Sequence, residues 1–178
     1  MRSMLGTTLL ALCAFPLTVV VAAQAQNPVT NGIRAVAQRQ TKNIVDAAEE
    51  MPADKYGYKP TPAQMSFGGV VSHLIKQGNN YRCSAASGMK QPDVDKFAGT
   101  DPKDKLVAGL KASFKFCETV LAQIQDAQLG DSIDFFGGRK VTKAFAGLIT
   151  VADWADHYSQ MAIYLRLNGL LPPTAKKA

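Results

Sequence analysis

Residues 141–169 read VTKAFAGLITVADWADHYSQMAIYLRLNG, and this stretch decides the fold. Its spacing predicts a helix over Val141–Asn168, stopped by Gly169 with Pro172 and Pro173 just beyond. At about 100° per residue, Phe145, Ile149, Ala152, Ile163 and Leu167 share one face, expected to meet the core. Trp154, Tyr158, Met161 and Leu165 form a second stripe opposite, and a helix apolar on two sides is buried on two sides. Another part of the chain can cover that second stripe. The sharper expectation is a homodimer contact, because Trp, Tyr and Met are enriched at interfaces.

Three more helical stretches lie upstream. The first, from about Thr30 to Glu50, carries Ile33, Ala37, Ile44 and Ala48 on one face and stops before Met51-Pro52. The second covers about Ser66 to Cys83, with Ser66 as N-cap and Phe67, Val70, Leu74 and Tyr81 along one stripe. Gly68 and Gly69 should weaken its first turn by roughly 1 kcal/mol each relative to Ala. The third opens at Asp101-Pro102, with Asp101 as N-cap, and keeps helical spacing through Leu106, Leu110, Phe114, Cys117, Leu121 and Ile124. Gly130–Gly138 reads as an ordered loop. Four helices and no convincing strand predict an all-α four-helix bundle.

The ends and the charge place the chain. Arg2, an apolar run from Met4 to Val21 and Ala23-Gln24-Ala25 have the form of a signal peptide over residues 1–25, leaving one domain at 26–178. The expected location is therefore exported, periplasmic or secreted, with no stable membrane insertion after cleavage. Leu12 before Cys13 is too large for a lipoprotein site. Among 178 residues, 20 are Lys or Arg and 14 are Asp or Glu, a net charge of +6. The basic residues form no dense block, and with export this argues against a nucleic-acid partner. Cys83 and Cys117 remain in an oxidising compartment, and their spacing leaves open whether they pair.

The chemistry concentrates in the last helix. Asp153, Asp156 and Gln160 fall on its first apolar face and His157 at the edge, and buried ionisable groups need partners. Asp153 and His157, four apart, stack one turn above the other, the spacing that presents two ligands to one ion. The chain's other histidine, His73, lies near the apolar stripe of the second helix. By spacing alone, His73 can equally be a core imidazole and Asp153–His157 a pair without an ion.

The run Asp156-His157-Tyr158-Ser159-Gln160-Met161 through Tyr164-Leu165-Arg166-Leu167-Asn168-Gly169 and the two prolines resembles the DinB-like superfamily. So does the order Glu49-Glu50-Met51-Pro52, Tyr56, Pro60-Thr61-Pro62, Ser66-Phe67, His73. The resemblance implies a four-helix bundle, commonly dimeric, holding a divalent ion on three side chains, usually His. His73 and His157 match two of these positions, and Asp153 stands where the family normally has the third His. Asp156 and Gln160 would orient an imidazole or a bound water. The set His73, Asp153 and His157 has the composition of a Zn, Ni or Fe(II) site with open positions. The resemblance then implies an enzyme of hydrolase or thiol-transferase type acting on a small molecule. The alternative is a metal-free binding or structural bundle. A third reading, noncovalent haem, stands without a Cys-x-x-Cys-His motif for covalent attachment.

Overall fold

The computed structural model describes residues 27–176 except 91, 94 and 95, so the signal peptide expected at 1–25 lies outside the described residues. Helix α1 is Pro28–Glu50, with Pro in its first turn, where its missing N–H costs nothing. The second leg of the bundle has three parts joined without a break: α2 Phe67–His73, a π-helical segment Leu74–Tyr81, and α3 Arg82–Ser87. Helix α4 is Lys103–Gln123 and α5 is Lys143–Leu167. Among the described residues no helix is long and apolar enough to cross a membrane.

The expected apolar faces of the first and third predicted helices all enter the core. Ile33, Ala37, Ile44 and Ala48 of α1 are buried, as are Leu106, Leu110, Phe114, Cys117 and Leu121 of α4, with Ile124 just after it. Ser66 caps α2, its side chain accepting from the Gly69 amide at 3.0 Å. Asp101 does not cap α4. Its carboxylate accepts from the Ala98 amide and pairs with Lys105, both at 2.8 Å, and Pro102 takes the N-cap position.

On α5 the two stripes exchange roles. Trp154, Tyr158, Met161 and Leu165 are buried inside this chain, whereas Phe145, Ile163 and Leu167 are exposed. Trp154 meets Phe114 of α4 edge-on at 5.0 Å and donates Nε1–H to the Gly78 carbonyl at 3.4 Å. The stripe read as a dimer contact is therefore spent on the chain's own core. Periodicity locates two apolar faces but cannot rank them, and the larger, aromatic one takes the interior.

The segment read as a loop is a short hairpin. Strands β1 Ser132–Phe135 and β2 Arg139–Thr142 pair antiparallel, with Ser132 opposite Thr142 and Phe135 opposite Arg139. Gly137 and Gly138 turn the corner with φ of 68° and 72°, values that L side chains rarely adopt. The ring of Phe136 at the tip stacks on Tyr81 at 4.1 Å, so Tyr81 belongs to the hairpin contact and not to the core stripe. Thr142 then caps α5 by accepting from the Phe145 amide.

Candidate functional site

His73 stands at the end of α2, where the helix widens. The π segment that follows bonds i to i+5 and turns less per residue than an α-helix, a device common at functional sites. Nine residues of regular α-helix turn through about 900°, which would leave His73 and Arg82 on opposite sides of the rod. The widened turns bring Arg82 back to the side of His73, facing α5.

From α5, Asp153 and His157 face this side. The imidazoles of His73 and His157 stack, centroids 5.0 Å apart and planes within 14°. The His157 Nδ1 lies 2.8 Å from the Asp153 backbone carbonyl, one turn back. A carbonyl only accepts, so Nδ1 carries a proton, and among the described residues Nε2 makes no hydrogen bond. The Asp153 side chain is committed elsewhere: Oδ1 accepts from the Arg82 guanidinium at 2.7 Å, with both side chains largely buried. A second Arg82 nitrogen reaches the Ile149 carbonyl at 3.4 Å, and its guanidinium carbon sits 5.3 Å from the centre of the Phe136 ring. Arg82 is thus held by α5 on one side and by the hairpin on the other. Asp153 Oδ2 is buried with no hydrogen-bond partner among the described residues, 3.6 Å from His157 Nδ1, too far for a hydrogen bond.

Burial, the neighbouring His157 and the Arg82 charge hold the His73 pKa below its ordinary value, outweighing the opposite pull of Asp153. The His73 imidazole can therefore serve as a neutral hydrogen-bonding group at about pH 7. Asp156 is exposed and Gln160 half-buried. Among the described residues neither bonds to an imidazole.

The three residues expected to share an ion do come together. Their arrangement, however, does not fit a three-donor metal site. An ion at about 2.1 Å from each nitrogen needs in-plane lone pairs aimed at one point. Stacked, nearly parallel rings keep those lone pairs in separate planes. The only carboxylate of the set already neutralises a guanidinium, whose charge would repel a cation in the same place. Among the described residues no group of three or more His, Cys, Asp and Glu is placed to hold a metal ion.

Two participants escape the sequence reading. Arg82 is hidden because α-helical counting puts it half a turn from His73, and Phe136 because its hairpin reads as a loop. The paired glycines Gly137-Gly138, directly after Ile133-Asp134-Phe135-Phe136, are the hairpin signal that could have located it.

The sequence profile of the DinB superfamily matches residues 37–161. No curated protein matches significantly. Among solved structures, a DinB-like protein from Bacillus cereus superposes with a TM-score of 0.67 at 16% identity, covering 80% of this chain and 95% of that one. A DinB-like protein from Bacillus subtilis gives 0.64 at 21% identity, covering 82% and 99%. A mycothiol-dependent maleylpyruvate isomerase gives 0.59 at 12% identity, covering 74% and 60%. At these identities the likeness is one of fold.

Proposed function

This chain belongs to the DinB superfamily, and from that premise we propose that it is an exported, metal-free member, a small-molecule-binding bundle in which Arg82 supplies the positive charge that an ion would otherwise bring to Asp153. The 2.7 Å Arg82–Asp153 bridge carries this reading. A carboxylate needs a counter-charge when buried, and a guanidinium fixed by a carbonyl and an aromatic ring provides one without a cofactor. The neutral His73 ring, half-buried beside the bridge, offers a hydrogen-bonding edge to a ligand.

Export agrees with the Cys83–Cys117 disulfide, which joins α3 to α4, because such bonds persist in oxidising compartments. A two-fold association through α5 would use the exposed Phe145, Leu148, Ile163 and Leu167 stripe, since Trp154 and its neighbours are internal.

Metal analysis of the mature protein after reconstitution with Zn, Ni or Fe(II) tests the proposal. Wild type should hold far less than one ion per chain. The Arg82→Met variant, which removes the guanidinium but leaves the stacked imidazoles, should hold no more, because the ring geometry still bars a shared ion. Stoichiometric metal in wild type, released by His157→Ala, would overturn the proposal and restore the metal-dependent hydrolase or thiol-transferase reading. That second reading has one observation in its favour, the unpartnered Asp153 Oδ2 beside an imidazole whose Nε2 makes no hydrogen bond among the described residues.

A further inference from the structure

A groove of about 490 Å³ lies along the seam between α1 and α4 and shares no lining residue with the His73–His157 site. That volume falls within the range of about 300–1,000 Å³ usual for small-molecule pockets. Its floor is apolar, built from Ala37, Val45, Phe114, Leu121 and Trp154. Its rim carries Arg34 and Lys42 from α1 and Lys111 and Lys115 from α4, against Asp46, Glu118 and the Glu49 that pairs with Lys111, a surplus of one positive charge.

We infer that this groove binds an amphipathic organic anion, a carboxylate with a hydrocarbon body. The body would lie along Val45 and Ala122, over the buried rings of Phe114 and Trp154, and the head group at Lys111 and Lys115, which stand one turn apart. These lysines currently pair with Glu49 and Glu118. Both pairs are well exposed, and exposed ion pairs are worth about 0–1 kcal/mol, so an incoming carboxylate can displace them. Arg34 is different. Its guanidinium donates to the Leu121 and Ile124 carbonyls at 2.9 and 3.0 Å, so it holds the end of α4 against α1 and keeps the groove's shape. A neutral hydrocarbon would use the floor but leave the charge surplus unanswered, and a cationic amphiphile would be repelled by it.

Trp154 is the only tryptophan in the chain and lies in the floor, so it reports occupancy directly. Decanoate titrated into the mature protein should change Trp154 emission saturably at sub-millimolar concentration. Decyltrimethylammonium, with the same chain and opposite charge, should bind at least about tenfold more weakly. Lys111→Gln/Lys115→Gln, at exposed positions, should keep the melting curve and lose decanoate affinity by about tenfold or more. Thr41→Phe, which projects a ring from α1 into the groove, should abolish binding. No saturable change at millimolar decanoate, equal affinity for the cation, or unchanged binding by the lysine variant would each overturn the inference. None of these outcomes depends on whether the His73 site holds a metal.

Discussion

Arg82 and Asp153, 71 residues apart in sequence, meet through a 2.7 Å ion pair whose side chains are only 14% and 17% exposed. Removing one partner from such a pair strands the other charge in a poorly solvated place. Because some solvent reaches both, the cost should sit below the range for fully buried pairs, about 2–3 kcal/mol for Arg82→Met. Urea denaturation checks this. Arg82→Met/Asp153→Leu should recover most of the loss, since neither charge then remains; a double variant as unstable as the single would show that packing, not charge, was removed.

The pKa of His73 is held below its ordinary 6.5 by burial first, then by His157. An unfolded chain then binds a proton at this position more readily than the folded one. The stability contribution is complete above pH 6.5 and falls as pH drops through the depressed folded value. Thermal melts between pH 7.5 and 5 should show a declining Tm, and His73→Gln should flatten that decline. An identical pH profile in the variant would assign the decline to other groups.

Gly68 sits where α2 begins, and helix propensity alone makes Gly68→Ala stabilising by about 1 kcal/mol. The packing reverses the sign. A Cβ on residue 68 would lie 2.4 Å from the Gly99 carbonyl oxygen and 3.3 Å from that of Tyr56, both backbone atoms that cannot swing aside. Gly68→Ala should therefore destabilise the fold by about 1–3 kcal/mol, the usual cost of overpacking, read as a lower urea midpoint with an unchanged slope.

The Cys83–Cys117 bridge closes a loop of sequence separation 34 between α3 and α4. Loop-closure entropy for that length corresponds to about 3–4 kcal/mol of stabilisation. Reduction, or the Cys83→Ala/Cys117→Ala variant, should lower Tm by many degrees under otherwise equal conditions. Equal melting with and without reductant, with free thiols confirmed by titration, would refute this.

Much of the bundle is legible in the sequence because α1 and α4 each have one apolar face, and burial follows that face directly. Helix α5 is harder. With apolar residues around most of its circumference, spacing alone cannot say whether Trp154 or Phe145 points inward, and tertiary packing against Phe114 decides it. The site is half legible. Residue type and the family resemblance point to His73, Asp153 and His157. They do not point to Arg82, because counting at about 3.6 residues per turn assumes a regular helix, and residues 74–81 are not one. The hairpin escapes because its strands are four residues each, too short for alternation to stand out.

Those wide turns make the pairing across the bundle a matter of arithmetic. Delete one residue between Leu74 and Tyr81, and everything downstream on that rod swings by about 100° about its axis. The guanidinium would be carried off the carboxylate, and Cys83 off its sulfur partner, with every participating side chain still encoded. Chain length in this short stretch thus sets the phase of two cross-links at once, and a single-codon deletion would undo both.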